Sequence, residues 1–381
     1  MAKYHPKTRK TLLKLVSDSA VHLGDIDTSA ITDMSFLFSI FGGASHRTDF
    51  SGIETWNTSN VKNMNALFHE CQNFNAPIGS WNVSKVKNMN GLFAGCLCFN
   101  QALHKWDVSN VTTMNHLFDS CHSFNQALQT WNVSNVTSMK YLFAHCYAFN
   151  QPLEKWNVGK VKRMRGMFFG CRAFNQALEK WDVAHATDME ALFQGASSFN
   201  QPLNAWNVGR VKNMKWLFDG AAAFNQPLEK WDVKNVQHME FMFKNAAAFN
   251  QPLNAWNVAK VKNMHAMFRN ARAFNQPLNA WKTKNLKECS RMFEGAWRFN
   301  QPLDKWDVSQ VLAMGFMFQG ATDFNQNLDA WNVEKSQDRR EMFDNSPLEN
   351  RPPKWFNRKK DGRALSIFFK PGEEDIWETG K

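Results

Sequence analysis

Cysteine, histidine and a recurring Asn/Asp position are the places in this chain where chemistry could reside. Seven cysteines occur, and thiolates at close spacing would bind zinc or close disulfides. Five of them, Cys71, Cys96, Cys121, Cys146 and Cys171, recur every 25 residues, and the same position then holds Ala196, Ala221, Ala246, Ala271, Ala296 and Ala321. Exchange with alanine marks a small core residue rather than a ligand. Cys98 lies close to Cys96, and Cys289 stands where other copies carry Met, so no C-x-x-C pair is available for a metal. Stacked, unpaired thiols favour a reducing compartment. The eleven histidines are scattered, and no Ser, Cys or Asp recurs beside one as a triad requires. Asp107, Asp182, Asp232 and Asp307 share a position with Asn82, Asn132, Asn157, Asn207, Asn257 and Asn332. Carboxylates that work as an acid–base pair would not alternate with amides along a whole array. The expectation is a protein without a catalytic site, a metal or a cofactor.

The element that positions all of these residues is a repeat. Trp stands at 56, 81, 106, 131, 156, 181, 206, 231, 256, 281, 306 and 331, always 25 residues apart. Around each the unit reads F-N-Q-x-L-x-x-W-[ND]-V-x-x-V-x-x-M-x-x-[LM]-F-x-x-[AC], as from Phe149 to Cys171. Leu-x-x-Trp-x-Val carries the alternation of a short strand with Trp and Val inward. Val161, Met164, Met167, Phe168 and Cys171 follow the spacing of one helical face. Phe-Asn-Gln-Pro-Leu has neither period and is expected to turn the chain, its Asn column, Asn75 through Asn325, satisfying backbone groups. Roughly eight apolar side chains at ~1.5–3 kcal/mol each cannot order one such unit alone. Stacked in register, the units share a core and become stable collectively. With strands ~4.8 Å apart, twelve coils would extend over roughly 55–60 Å.

The phrase from Trp131 to Met139, followed by Leu142-Phe143 and the Phe-Asn-Gln turn, resembles the BspA-like leucine-rich-repeat family of bacterial surface proteins, also found in mycoplasma lipoproteins. The resemblance spans residues 22–345. It implies an α/β leucine-rich-repeat-like solenoid of about 12–13 coils, each a short parallel strand plus a short helix, with adhesion or protein recognition as its role.

Three regions are expected. Residues 1–21 form an N-terminal cap, with an amphipathic helix over 6–18 that presents Leu12, Leu13, Leu15 and Val16. Residues 22–345 are the solenoid, regular from about 50; a divergent first coil carries Ile26 in the Trp column, and 39–50 depart from register. Residues 346–381 are a C-terminal cap or tail. Ser336 and Arg339 replace core residues in the coil just before it, the motif stops after Pro347, and Leu365–Phe369 reads as a capping strand or a partner-binding tail.

Function is then sought in the variable columns. The first candidate is the strand face: Lys155, Asn157, Lys180, Asp182, Asn207, Lys230, Asp232, Lys234 and Asn257. If Trp and Val point inward, the Asn/Asp between them points out, either as a stacking ladder or as a recognition surface. The second is a basic ridge of Lys160, Lys162, Arg163, Arg165, Arg210, Lys212, Lys215, Lys260 and Lys262. The third is a set of aromatics, Tyr141, Trp216, Phe241 and Phe316, about 150° from the core face on a helix. The formal charge of +11 suits an acidic protein, nucleic acid, acidic glycan or anionic surface. Sequons at Asn57, Asn82, Asn110, Asn132 and Asn135 follow from repetition of the motif. No signal segment, lipidation motif or apolar run of ~18 residues is read from the chain, so no membrane insertion is expected and the cytoplasm is the expected location, with a cell-surface adhesin exported by another route as the alternative. A non-enzymatic scaffold for a protein partner is the leading reading, and polyanion binding along the ridge is the other.

Overall fold

The computed structural model describes residues 2–361. After a nine-residue helix α1, Arg9–Ser17, the chain runs as thirteen stacked coils joined by parallel bridges at a single column, from Asp33 through Asn63 and Asn88 to Asp338. The remaining regular elements are short 3-10 turns at Leu23–Asp25, Ile53–Thr55 and Pro347–Glu349, and a last turn of helix α2, Arg358–Asp361.

The coil is built from turns, and its amides show why. Met64, Ala66, Phe68 and Glu70 donate sideways to the next coil, to the carbonyls of Asn88, Asn90, Leu92 and Ala94 at 2.6–3.1 Å. The amides between them, on Leu67, His69 and Cys71, turn back to Met64, Ala66 and Phe68 of their own coil. The same alternation recurs as far as Phe316, Phe318 and Gly320, which donate to Arg340, Met342 and Asp344.

The expected helix is therefore not formed. A helix spends its amides along its own axis, whereas here half of them hold coil to coil. Left-handed residues break the helical path in every coil: Tyr141 at φ 53° and His145 at φ 55°, then Gly166 at 58° and Gly170 at 69°. The last of these columns holds Gly170, Gly195, Gly220, Gly295 and Gly320 alongside Asn245, Asn270 and Asn345, the residue types that tolerate this conformation. The side chains assigned to the inner helical face are nonetheless inside: Val161, Met164, Met167, Phe168 and Cys171 are fully buried.

The expected strand is displaced as well. Trp206 and Val208 are buried, as the alternation required, but their segment is a pair of turns, with Trp206 donating to Leu203 O and Val211 to Val208 O. The bridges fall seven residues after each Trp, at Asn213 in this coil. What the Trp segment contributes is a side-chain bond. The indole Nε1 of Trp206 donates to Leu178 O of the preceding coil at 2.9 Å, and Trp181 and Trp206 stack at 6.5 Å with planes 1° apart. Each Trp of the column repeats this bond, from Trp56 to Leu23 O through Trp331 to Leu303 O. In the Phe-Asn-Gln turn, Asn175 Oδ1 accepts from Asn200 N and Gln201 Nε2 at 2.9 and 3.0 Å, the backbone-satisfying role expected of that column.

Leu12 and Val16 of α1 are buried in the common core, and Arg9 Nε donates to Ser35 O of the first coil. Arg47, in the irregular 39–50 stretch, ties the helix end to the array by donating to Val16 O, Asp18 O and Val21 O. At the far end the motif continues past Pro347. Trp355, one residue short of register, stacks on Trp331 at 6.4 Å and donates to Leu328 O. Arg339 caps the carbonyls of Val333 and Ser336 and pairs with Asp361 at 2.7 Å. The expected capping strand at 365–369 lies outside the described residues.

The thiols belong to this core. Cys96, Cys121, Cys146 and Cys171 donate to phenylalanine carbonyls of the preceding coil, as Cys146 Sγ does to Phe118 O at 2.9 Å. Burial pushes the Cys71 thiol up to about 12 and holds the fully buried ones well above the usual range. Buried thiols held protonated in this way are poorly reactive.

These features yield three expected outcomes. Ala191→Gly, at φ 56°, leaves stability within ~0.5 kcal/mol of the parent or raises it, because relief of a left-handed Cβ offsets backbone entropy; in a helix it would cost about 1 kcal/mol. Urea midpoints distinguish the two. Trp206→Phe keeps a ring in the stack but removes the indole bond to Leu178 O, which retains its bond from Trp181 N, and destabilises by about 0.5–1.5 kcal/mol in the same measurement. Under native iodoacetamide labelling, exposed Cys98 reacts first and the buried column reacts only after unfolding, as peptide mass mapping would read.

Candidate recognition surfaces

Because the sideways bonds pin the backbone from Met64 to Glu70 and its equivalents, the outward side chains of that segment form one surface with identical frame and variable content. We refer to it as the ladder face. Its aromatic members include Tyr141, Trp216, Phe241 and Phe316, all four at left-handed positions and half-buried. They lie on the ladder because the turn, not a helix, directs them there. Trp216 and Phe241 stack at 5.5 Å. Cations cover the rings: Lys215 over Trp216 at 4.5 Å, Lys244 over Phe241 at 5.6 Å, and Arg291 and Arg340 over Phe316 at 4.2 and 5.2 Å. Tyr141 stacks on His116 at 4.9 Å and accepts from Arg165 Nε at 2.8 Å.

Between the aromatics run residues to which the sequence reading gave no role. Glu190 pairs with Arg165 at 2.6 Å, Glu240 with His238 at 3.3 Å, and Glu294 with both Arg269 and Arg291 at 3.2 and 2.7 Å. Glu240 Oε2, Arg269 Nε and Ser290 Oγ are buried here without a hydrogen-bond partner. The signal available in the sequence was the mixture itself. One column reads Lys140, Arg165, Glu190, Lys215, Glu240, His265, and another Asp219, Lys244, Arg269, Glu294. Toward the N-terminus the small residues Ala66, Gly91, Ala94 and Gly95 leave an open hollow of about 410 Å³, bordered by Phe41, His69, His116 and Asp119.

The residues assigned to a strand face are exposed, but outside the ladder. Asn157, Asp182, Asn207, Asp232 and Asn257 each accept, through Oδ1, the amide two residues on, at 3.0–3.2 Å. This local turn needs one acceptor oxygen, which explains the free exchange of Asn with Asp and replaces the expected ladder between coils. Hydrogen bonds from the Ser109 and Ser309 side chains and amides hold Asp107 and Asp307 below the usual carboxylate range. Lys234 pairs with Asp232 at 2.8 Å and Lys180 with Glu154 at 3.8 Å, while Lys155 and Lys230 are exposed beside the buried Trp156 and Trp231.

The basic ridge divides. Lys160, Lys162, Arg163, Arg210, Lys212, Lys260 and Lys262 are exposed along the turn that leads into the ladder. Arg165 and Lys215 leave it for the ladder face, drawn by Glu190, Tyr141 and Trp216. Among the described residues no group of three or more His, Cys, Asp or Glu is arranged to hold a metal ion, and no helix is long and apolar enough to cross a membrane.

No curated protein matches the chain. A solved structure, the crystal structure of a TLR13–ssRNA13 complex, aligns over 84% of this chain and 73% of its own at 9% identity and a TM-score of 0.18. A family model described as "Mycoplasma protein of unknown function, DUF285" matches at residues 10–107, 32–154, 98–203, 171–281 and 252–356. These overlapping matches run unbroken from residue 10 to residue 356, and the chain belongs to the DUF285 family.

Proposed function

We propose that the chain is a non-enzymatic recognition scaffold that binds a protein partner on its ladder face. The observation that carries this is the concentration, on a backbone held by repeated coil-to-coil bonds, of stacked aromatics, arginines and paired charges around Trp216 and Phe241. Aromatic and arginine side chains are what protein interfaces enrich, and a rigid frame lowers the ordering cost of binding. The likeness of Trp131–Met139 to BspA-like repeats agrees with a recognition role.

Photo-crosslinking from the full chain in its native cells tests the proposal. A benzophenone side chain at Phe241 is expected to give a protein adduct of defined mass that is absent when the probe stands at Lys180, outside the ladder. Trp216→Ala in the same probe-bearing chain should lower recovery of that adduct by about 30-fold, the effect of losing a central anchor of ~2 kcal/mol. Adducts formed equally at Lys180, or only there, would place recognition elsewhere.

A further inference from the structure

We infer that the ridge from Lys160 to Lys262 binds an acidic glycan whose anionic groups recur once per disaccharide. This surface is separate from the ladder face and does not rest on the protein-recognition reading.

In the two columns that run through Lys160 and Lys162 the cations come in pairs on alternate coils, Lys160 with Lys162, Arg210 with Lys212 and Lys260 with Lys262, and Arg163 adds a third cation to the first of these coils. The coils between them place His185 with Thr187 and Asn235 with Gln237 at the same positions. All six cations are exposed, and none of them forms an ion pair among the described residues. Lys160 Nζ donates to Asn135 Oδ1 at 2.8 Å and Lys260 Nζ to Asn235 Oδ1 at 2.7 Å. An amide oxygen orients the ammonium group and leaves its charge uncompensated. The acids alternate in the opposite phase. The Asn/Asp column is neutral in the cationic coils, at Asn157, Asn207 and Asn257, and acidic between them, at Asp182 and Asp232, with Asp188 beside the first.

Charge complementarity along such a surface depends on spacing. Bridged coils lie ~4.8 Å apart, so the cation pairs recur about every 9.6 Å. An extended glycan of alternating acidic and amino sugars repeats its anionic groups once per two sugars, so every second coil would meet a charged unit. A duplex nucleic-acid strand carries a phosphate every ~3.4 Å and would press several against Asp182 and Asp188, whereas Asp232 is already paired with Lys234. No Phe, Trp or Tyr occupies the two ridge columns to stack a base. Two cations per coil suit a disaccharide with one carboxylate and one sulfate, and three pairs suit three such disaccharides.

Titration of the full chain at low salt with size-defined chondroitin sulfate hexasaccharide, galacturonic acid hexamer and a twelve-base-pair DNA duplex tests the inference. The chondroitin sulfate is expected to bind about tenfold or more tightly than either comparator, and to lose about tenfold or more when all six cations are replaced, K160Q/K162Q/R210Q/K212Q/K260Q/K262Q. These side chains are exposed, so circular dichroism should report an unchanged fold. In a second variant, Thr187→Lys with Gln237→Lys fills the neutral coils and should raise the affinity for the galacturonic acid hexamer and the DNA while erasing the preference. Equal or tighter binding of DNA by the native chain, retention of chondroitin sulfate by the six-fold variant, or no binding of chondroitin sulfate at low salt would each overturn it.

Discussion

Everything in this molecule depends on where the backbone amides point. In the segment from Met64 to Cys71 and its equivalents, alternate N–H groups leave the coil and bond to the next one, while the remainder close tight turns within their own. Neither a helix nor an extended strand can divide its amides this way. The division requires left-handed residues at regular places, and the chain supplies them mostly as Gly or Asn in one column, with Glu70, Ser120 and His145 as exceptions, and as varied side chains in another. Packing follows from it. With the coils held at bridge spacing, each Phe, Met and Trp meets its counterpart one coil away, as Phe193 meets Phe218 at 5.7 Å with planes 4° apart. The indole then adds a second bond to the leucine carbonyl that closes the Trp turn of the preceding coil, Leu178 O accepting from both Trp181 N and Trp206 Nε1.

The inward half of this arrangement was legible in the sequence. Trp206, Val208, Val211, Met214, Leu217, Phe218 and Ala221 are all buried, and their recurrence specified a stacked solenoid and its register. Conformation was not legible, because the spacing of Val161, Met164, Met167, Phe168 and Cys171 is shared by a helical face and by successive three-residue turns around left-handed corners. Gly170, Gly195 and Gly220, recurring inside a supposed helix, were the residues that separated the two. The strand was misplaced for a related reason: Trp-x-Val alternates inward and outward, but its amides are used in turns, so alternation of side chains did not imply pairing of backbone.

The same distinction governs the surfaces. The Asn/Asp column looked like a recognition ladder because it repeats and points outward, yet a local turn accounts for it, with Asp182 and Asn207 accepting from the amides of Ala184 and Gly209. The ladder face was harder to see. Its columns change residue at each coil, and its aromatics, such as Trp216 and Phe241, were found only by their size. Once the backbone is known, Glu190, Glu240 and Glu294 join them as charges that the array itself partly pairs. The ridge was legible as an excess of basic residues, while its alternation from coil to coil emerges only when columns are compared two coils apart.

The way each tryptophan reaches back has a consequence for how the protein is made. Trp131 bonds to Leu103 O, Trp156 to Leu128 O and Trp181 to Leu153 O, each time to residues synthesised earlier. A coil leaving the ribosome therefore finds its indole acceptor already in place, and waits on the next coil for its cover and for the carbonyls that its own sideways amides bond to. Contacts that span a single coil keep the search for partners short, however many coils there are. Such a chain can fold as a travelling front that advances at the pace of translation, with one unfinished edge exposed at any time.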